Sequence, residues 1–324
     1  MATPYGFSSR FISRISIGLR SHYSGFTVDK TRPAAPDLRY WTHVRRLAIR
    51  PGAIGDFIVS LPALGCLAEQ SAGGGWFEIW TASAHVPLVR FADRARGIAS
   101  TGLDLLGVAD PPARLLEELA GFDSIVSWYG ANRPEFRALV ASLGLPFTFF
   151  PALPAAGCGD SAVDFYLQQV RSLVDCASDG IPRISCRPED AGIAEPTDFT
   201  VIHPFSGSPA KNWPLERFQA LARGLERHLA VRWCAGADDP PLPGAIRIDN
   251  LYRLACWISQ ARLYVGNDSG ITHLAAATGV PVLALFGPTD PAVWAPRGEN
   301  VRVATWNSQP TAAIQYQHLR WPPC

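Results

Sequence analysis

The chain has 324 residues, of which 48% are hydrophobic and 18% are charged, and its formal net charge at pH 7 is +1. This length is comfortable for two domains of ordinary size, and the apolar content is that of a globular protein with enough material for a core. The near-neutral charge argues against a broad nucleic-acid surface, because binding to a phosphate backbone usually requires a basic excess.

Residues 1–43 form a basic leader that differs from the rest of the chain. Apolar side chains recur there every four positions, at Phe7, Phe11, Ile15 and Leu19. A helix would place them on one stripe beside Arg10 and Arg14, an arrangement suited to a peripheral contact with an anionic membrane surface. Serines and glycines interrupt the pattern, so a disordered leader, or a start site assigned too early, is the favoured interpretation. No long apolar core follows the arginines, which argues against a secretory signal.

Short β-rich runs alternate with helical runs from Val44 to residue 174. The predicted strands are residues 46–50, 77–81, 97–101, 124–129 and 147–150. The predicted helices are residues 57–69, 85–92, 113–121, 134–143 and 163–174. Such alternation predicts a parallel sheet with helices on both faces.

A segment rich in proline, glycine and charge, residues 178–198, is the predicted linker to a second series of the same kind. Its predicted strands are residues 199–203, 231–234, 263–265, 280–286 and 301–304. Its predicted helices are residues 215–229, 251–260 and a small-residue helix that ends at Thr278. The predicted fold class is therefore α/β, with two doubly wound Rossmann-like domains, residues 44–177 and 199–324, that face each other across a cleft.

Two features exclude further classes of protein. The uncharged run at residues 138–159 is as long as a membrane span, but Pro146, Pro151 and Pro154 would break such a helix, so a buried strand with a connector is predicted. The seven cysteines are scattered without CxxC spacing, so they indicate neither a zinc site nor a disulfide framework. We interpret them as reduced and mostly buried.

Three motifs follow predicted strands, at the edge where α/β sheets bind ligands. They are IRPGAIGDFIVSLPAL at residues 49–64, HPFSGSPAKNWPLERF at 203–218 and RLYVGNDSGITHLAAATGVPVLALFGPTDP at 262–291. In the third motif, the turn at residues 266–270 places an acid, a hydroxyl and free amides at a helix N-terminus, where a phosphate is favoured.

The three motifs, in this order, resemble those of glycosyltransferase family 9, the ADP-heptose:lipopolysaccharide heptosyltransferase family. The resemblance covers the chain from about Val44 to Val303. It implies the GT-B fold, with an N-terminal domain on the acceptor side and a C-terminal domain that binds the nucleotide sugar. It also implies an inverting glycosyltransferase that displaces the donor diphosphate directly, without a covalent intermediate.

Sugar transfer to an alcohol requires a base for the hydroxyl proton and positive charge for the departing diphosphate. Asp56, after the glycine turn at residues 51–55, matches the general base of the resembled family; the alternative is an N-cap of the helix predicted to begin at Phe57. Lys211, in a loop of small residues, matches the family's lysine and is the predicted cation for the leaving group. The alternative for Lys211 is a solvated surface lysine.

The resemblance assigns the donor site to the second and third motifs and to the strand end near residue 234. The predicted donor-binding residues are Ser206, Gly207, Ser208, Lys211, Asp238, Asp268, Ser269, Gly270, Ile271 and His273. The first amides of the helix would face the β-phosphate, and Asp238 or its neighbour Asp239 the ribose. A structural hydrogen bond is the alternative for His273 and for the strand-end His203.

No cofactor is predicted beside the nucleotide-sugar substrate, which under the resemblance is ADP-heptose. The sequence has no DxD, GxGxxG or Walker A pattern, so we expect no metal, no nicotinamide and no ATP hydrolysis. The predicted partners are the donor and a glycolipid or glycan acceptor, met in the cytoplasm or at the inner face of the cytoplasmic membrane, and no nucleic acid is expected. A UDP- or GDP-sugar donor, and a nucleotide-sugar-binding subunit without turnover, stay open as alternatives.

Overall fold

The computed structural model describes residues 44–71, 74–108, 110–155, 157, 159–195 and 198–306, which all lie in one compact unit, Trp41–Cys324. The predicted leader at residues 1–43 lies outside the described residues. In the part of the chain that is described, no helix combines the length and the apolar character that crossing a bilayer requires.

Two five-stranded parallel sheets form the framework of the described residues. The first contains β1 (Arg45–Arg50), β2 (Trp76–Thr81), β3 (Arg94–Gly97), β4 (Ser124–Ser127) and β5 (Phe147–Phe149), in the order β3-β2-β1-β4-β5. The second contains β6 (Phe199–His203), β7 (Ala230–Trp233), β8 (Leu263–Asn267), β9 (Val282–Phe286) and β10 (Val301–Thr305), in the order β10-β9-β8-β6-β7. The predicted fold class is confirmed, and we call the two halves the first lobe (residues 44–171) and the second lobe (residues 199–306).

Helices connect the strands and cover the sheets. The helices of the first lobe are α1 (Ile54–Glu69), α2 (Ala113–Ala120), α3 (Pro134–Ser142) and α4 (Ala162–Arg171). Those of the second lobe are α5 (Leu215–Leu225), α6 (Leu251–Ile258), α7 (Gly270–Ala277) and α8 (Pro291–Trp294). Ser161, Asn250 and Ser269 begin α4, α6 and α7, because each side chain accepts a backbone N–H of the following turn. Such a cap typically contributes about 1 kcal/mol.

The central strand of the first lobe, β1, is buried on both faces, as is usual for a parallel strand. Side chains alternate between the faces. Leu47 and Ile49 join one apolar cluster, whereas Ala48 joins the other, on the side of α1 and α4. Arg46 and Arg50 share the face of Ala48, so β1 turns two buried arginines toward these helices.

The two lobes pack against each other through α1 and α7. Phe57 of α1 and Leu274 of α7 are fully buried members of one apolar cluster that continues from lobe to lobe. Burial of each such side chain contributes roughly 1.5–3 kcal/mol. At the rim, Arg297 of the second lobe donates to the two carboxylate oxygens of Asp164 in α4, at 2.8 and 2.5 Å. The two lobes are therefore in direct contact at α1 and α7, with an ion pair at the rim.

Two predicted elements of the first lobe are wrong. The helix predicted at residues 85–92 is a short 3₁₀ segment, Ser83–Leu88, in which Pro87 has no amide to donate. The strand predicted at residues 97–101 is displaced, because the edge strand β3 ends at Gly97 and a 3₁₀ turn, Ile98–Ser100, follows. The sequence of β3, RARG, does not read as a strand; its arginines are held by Glu78 of β2 and Glu118 of α2.

The interpretation of all cysteines as reduced is also wrong. A disulfide joins Cys66 of α1 to Cys176, which follows α4, with 5.3 Å between their Cα atoms. The two residues are 110 positions apart and meet only because α1 packs against α4, so sequence spacing gives no sign of the pair. Among the described residues, Cys186, Cys234 and Cys256 are free thiols.

Candidate active site

Asp56 lies in the first turn of α1, at the carboxyl end of β1. Gly52, with a φ of +123°, makes the turn from strand to helix in a backbone region that residues with a side chain rarely adopt. The N-cap of α1 is Ala53, so Asp56 is the third residue of the helix and the N-cap alternative is wrong. The Ala53 backbone instead donates a hydrogen bond to the Asp56 carboxylate, which favours the ionised form.

Two cations from opposite lobes act on the Asp56 carboxylate. Burial raises the pKa of Asp56 above its ordinary value, while the charge of Arg50, the hydrogen bond to the Ala53 backbone and the charge of Lys211 oppose that rise. Arg50 ends β1 of the first lobe, and Lys211 lies in the loop after β6 of the second lobe. A carboxylate with a raised pKa between two lobes is suited to general-base catalysis.

The ammonium of Lys211 is held in an ion pair. Lys211 ends a short 3₁₀ turn, Pro209–Lys211, and its Nζ lies 2.8 Å from Asp268 Oδ2. Only 6% of the Asp268 side chain is exposed, and the same oxygen accepts a hydrogen bond from Thr289 Oγ1 at 2.6 Å. Lys211 is therefore not the freely solvated lysine of the alternative interpretation. A diphosphate would meet a cation that is already oriented.

The turn after β8 presents the N-terminus of α7 at the contact between the lobes. Ser269 caps α7, and Gly270 and Ile271 are its first two residues. Amides at these positions have no partner within the helix and are available to an anion. Gly270 touches α1, because an added Cβ would lie 2.1 Å from Ile54 Cγ2. The start of α7 and the start of α1, which carries the predicted base, thus meet at the cleft.

His273 lies in the second turn of α7, where it is 5% exposed. Burial lowers the pKa of His273 to about 4; the charge of Asp268 opposes this shift and the charge of Lys211 adds to it. The ring also has a hydrogen bond with the Trp294 backbone, and its Cδ2 lies 3.6 Å from the point where a Cβ on Gly55 would sit. His273 is therefore a neutral group packed between the lobes, behind the Lys211–Asp268 pair.

Ser206, Gly207 and Ser208 form the loop that leads to Lys211. Ser206 Oγ lies 2.8 Å from both the Ser208 carbonyl oxygen and Asn212 Oδ1, so it closes the loop on itself. Gly207 is exposed, with open space where a Cβ would be. The three residues lie beside Lys211, as the motif predicts, and their contacts with a donor stay predictions.

Asn267, which the sequence argument did not single out, holds this loop in place. Its Nδ2 donates to the Pro204 carbonyl at 2.7 Å, and its Oδ1 accepts from the Trp213 amide at 2.9 Å. One fully buried amide therefore fastens both ends of the Lys211 loop to β8. In the sequence, Asn267 is a polar residue between an apolar strand and Asp268. A buried amide must find hydrogen-bond partners, so this position is the signal that could have indicated its structural role.

The acid pair after β7 is divided between two environments. Asp239 accepts hydrogen bonds from the Gly236 amide at 2.6 Å and pairs with His203 Nε2 at 3.0 Å. The bond to His203 is the largest cause that holds the pKa of Asp239 below its ordinary value. Asp238 is exposed on the same turn. His203 thus has the structural bond of the alternative interpretation, and Asp238 is the side chain that is turned to solvent.

Two buried histidines make stability depend on pH. Burial lowers the pKa values of His85 and His273 to about 4 in the folded chain, below their ordinary value near 6.5. The neutral forms therefore stabilise the fold above pH 6.5, and this contribution is lost as the pH falls through 4. We expect the free energy of unfolding to drop by roughly 2 kcal/mol for each histidine across that window. Urea unfolding of the wild type and of His85→Gln at pH 7 and 4.5 checks this: a drop no smaller in the variant would contradict it.

Residues 178–320 match the model of glycosyltransferase family 9 (heptosyltransferase). This part of the chain belongs to glycosyltransferase family 9. Lipopolysaccharide heptosyltransferase 3 of Escherichia coli is 29% identical over 129 residues, which are 35% of this chain and 37% of that protein. The alignments thus span little more than a third of the first curated relatives. The predicted family resemblance is confirmed.

Solved structures extend the likeness of fold to most of the chain. The glycosyl transferase family 9 protein from Veillonella parvula DSM 2008 has a TM-score of 0.65 at 17% identity, over 86% of this chain and 96% of that chain. The E. coli heptosyltransferase WaaC, solved with ADP, has a TM-score of 0.61 at 19% identity, over 85% of this chain and 98% of that chain. The predicted GT-B fold is confirmed.

Proposed function

We propose that the chain is a metal-independent, inverting glycosyltransferase that moves heptose from ADP-heptose to a hydroxyl of a lipopolysaccharide-type glycan. The observation that carries the proposal is the approach of two groups from opposite lobes, where Gly55 of α1 packs against Gly270 of α7: Asp56 is a half-buried carboxylate whose pKa is raised by burial, and the charge of Lys211 opposes that rise. A proton acceptor and a phosphate-binding cation at one cleft are what sugar transfer from a nucleoside diphosphate needs.

The chemistry that we propose is a single displacement. The acceptor hydroxyl gives its proton to the Asp56 carboxylate and attacks the anomeric carbon of the donor sugar. The bond from that carbon to the diphosphate oxygen breaks as the new bond forms, so the configuration at the carbon inverts. Lys211 and the first amides of α7 stabilise the negative charge on the departing nucleoside diphosphate.

The first lobe offers a place for the acceptor. A cavity of about 400 Å³ opens beyond the ends of β4 and β5, and Trp128, Asn132, Arg137 and Phe149 line it. Ala152 also lines this cavity, and its carbonyl accepts a hydrogen bond from the Tyr166 hydroxyl, which in turn accepts one from Arg50. Two hydrogen bonds through Tyr166 thus connect the wall of the cavity to Arg50, the arginine whose charge acts on Asp56. An aromatic wall with one guanidinium suits a glycan that carries an anionic group.

ADP-heptose is the proposed donor because of the family description and because the WaaC neighbour was solved with ADP. Because the proposed donor is a nucleotide sugar and the proposed acceptor is a glycolipid, we propose that the reaction occurs in the cytoplasm or at the inner face of the cytoplasmic membrane. Melting-temperature shifts with ADP, UDP and GDP test the donor base, since a ligand that binds only the folded state raises its stability. ADP should give the largest shift, and no shift with any of the three would remove the donor-site assignment.

Release of free nucleoside diphosphate, measured with and without a lipopolysaccharide acceptor and with and without EDTA, tests the reaction itself. Acceptor-dependent release that EDTA does not change is the expected result. Binding of ADP without release would favour the silent subunit, and loss of release in EDTA would contradict metal independence.

Replacement of Lys211 by alanine should weaken ADP binding roughly tenfold and lower kcat about tenfold, because both the bound and the departing diphosphate lose their cation. The substitution also removes the ion pair of the buried Asp268 side chain, which keeps its hydrogen bond from Thr289. Arg262→Ala is the matched control, since it removes another ion pair of the second lobe, 3.1 Å from Asp198 at the surface. Calorimetric titration with ADP and steady-state rates measure both effects. An unchanged ADP affinity would rule out the predicted role of Lys211.

A further inference from the structure

We propose that Arg50 is a positioning residue for Asp56: its guanidinium holds the turn that carries the carboxylate and supplies a fixed positive charge beside it. This inference rests on the proposed function of Asp56 as the base. It assigns a role to a side chain that lies in the first motif but has no chemistry of its own in the sugar-transfer step.

The contacts of Arg50 span the turn between β1 and α1. Nη1 donates to the carbonyl of Pro51 at 3.1 Å, and Nη2 donates to the carbonyl of Asp56 at 2.9 Å. One planar group therefore ties the first residue after the strand to the first turn of the helix. A Cβ added to Gly52 would lie 3.5 Å from Arg50 Nη1 and 3.7 Å from Asp56 Oδ2, so the guanidinium and the carboxylate flank the same point of the turn.

Tyr166 of α4 holds the guanidinium of Arg50 in place. Its hydroxyl accepts from Arg50 Nη2 at 2.7 Å and donates to the Ala152 carbonyl at 2.6 Å. The Arg50 guanidinium carbon also lies 4.7 Å from the centre of the Tyr166 ring, a distance at which a cation and a ring attract each other. Trp128 packs edge-on against this ring at 6.2 Å. Arg50 is thus held on three sides and is only 2% exposed.

Packing alone does not explain why the buried residue at position 50 carries a positive charge. Burial of a guanidinium carries a desolvation cost that neutral hydrogen-bond partners offset only in part. Arg50 Nε is buried without a hydrogen-bond partner in the described structure. Its contacting oxygens are two carbonyls and a phenol, so the opposite charge that it faces is the Asp56 carboxylate. We infer that the cation is retained for its effect on that carboxylate.

Three other titratable groups around Asp56, His85, Tyr166 and His273, are neutral at pH 7 and do not supply a positive charge. His85, beside Arg50 and stacked on Phe57, and His273 of α7 have pKa values lowered to about 4, so both are neutral at pH 7. Burial raises the pKa of Tyr166 to about 12, so its phenol is neutral as well. Arg50 from the first lobe and Lys211 from the second are the cations that oppose the rise of the Asp56 pKa. Lys211 is paired with Asp268 and would engage the diphosphate.

The test uses two substitutions of Arg50 and a matched control from the same strand. Arg50→Met removes the charge and the bonds, whereas Arg50→Lys keeps the charge and loses the span between the two carbonyls. The control is Arg46→Met, because Arg46 is also buried in β1 but donates to the Leu67 carbonyl, away from the turn. The readouts are the titration of the Asp56 carboxyl carbon by NMR in the full chain, without ligand, and kcat against pH with ADP-heptose and a lipopolysaccharide acceptor.

With Arg50→Met we expect Asp56 to titrate at a higher pH than in the wild type, and kcat at pH 7 to fall about tenfold, with the acid side of the rate profile moved upward. Arg50→Lys should leave the titration close to that of the wild type while kcat still falls. Arg46→Met should change neither. An unmoved Asp56 titration in folded Arg50→Met, or an equal movement in Arg46→Met, would overturn the proposal.

Tyr166→Phe covers the case in which Arg50→Met does not fold. It removes the hydroxyl that accepts from Nη2 and keeps the ring, so we expect a smaller movement of the Asp56 titration in the same direction. No movement in this variant, together with a wild-type kcat in Arg50→Lys, would also overturn the proposal. Failure of the proposed function is distinguishable, because it would appear as absent transfer in the wild type while the Asp56 titration still responds to Arg50.

Discussion

Replacement of Asp56 by asparagine should lower the rate of sugar transfer by at least about 100-fold, which is the usual contribution of a positioned general base. The amide has nearly the shape of the carboxylate but cannot accept the hydroxyl proton at neutral pH. ADP affinity should stay within about twofold, because the proposed diphosphate site is formed by groups of the second lobe. Steady-state rates and calorimetric titration with ADP measure the two quantities.

The pH dependence and the stability of the same variant sharpen this test. Burial raises the pKa of Asp56, so the ionised carboxylate costs folding free energy at neutral pH, and Asp56→Asn should melt at an equal or higher temperature than the wild type. The wild-type rate should fall as the pH drops through the raised pKa, and the residual rate of the variant should lack that limb. Asp104→Asn, an exposed aspartate of the same lobe, is the control. A variant that keeps the full rate would place the base elsewhere.

The sequence was sufficient for the architecture because the strands are short apolar runs that end at glycine or acidic turns. The strand predicted at residues 199–203 has the bounds of β6, and the turn at residues 266–270 connects β8 to α7. Parallel strands direct their carboxyl ends to one edge of the sheet, so motifs placed at those ends also had to lie at the cleft. The same geometry predicts that Asp56, Lys211 and the start of α7 lie at one edge of the cleft.

The parts that escaped prediction depend on contacts between distant segments. Asp239 is engaged by His203 while Asp238 faces solvent, and two adjacent acids in a sequence give no sign of which one turns inward. Arg50 reads as a polar residue that ends a strand; its role depends on Tyr166, 116 positions later. The pairing of Cys66 with Cys176 likewise depends on how α1 packs against α4. A local sequence pattern does not determine the angle at which two helices pack against each other.

The contact between α1 and α7 is where the two lobes depend on each other most directly. Gly55 and Gly270 face each other there: a Cβ on Gly55 would lie 3.5 Å from the Gly270 Cα, and one on Gly270 would lie 2.9 Å from the Gly55 nitrogen. Neither glycine has a positive φ. The close contact therefore requires their small size and not their conformational freedom. The helix that carries the proposed base and the helix whose first amides would face the diphosphate can approach this closely only without side chains between them.

Replacement of Gly270 by valine should therefore separate the lobes and lower transfer about 100-fold, because the base and the diphosphate site would no longer share one cleft. The added Cβ alone would stand 2.1 Å from Ile54 Cγ2 and 2.9 Å from the Gly55 nitrogen, and the second of these is backbone that cannot rotate away. Overpacking of this kind should also cost roughly 1–3 kcal/mol of stability. Small-angle scattering, melting temperature and steady-state rates measure the three effects.

Two companion variants make the result of Gly270→Val decisive. Gly65→Ala adds a methyl group to α1 where no atom lies within 4 Å, so it should leave rate and melting temperature near those of the wild type. Ile54→Ala combined with Gly270→Ala removes the nearest clashing methyl and should recover part of the rate that Gly270→Ala alone loses, since the two positions are in contact and their effects should not add. The backbone approach at Gly55 persists in the double variant, so recovery should be incomplete. Wild-type rates in Gly270→Val would mean that the contact between α1 and α7 opens during turnover and does not define the reacting geometry.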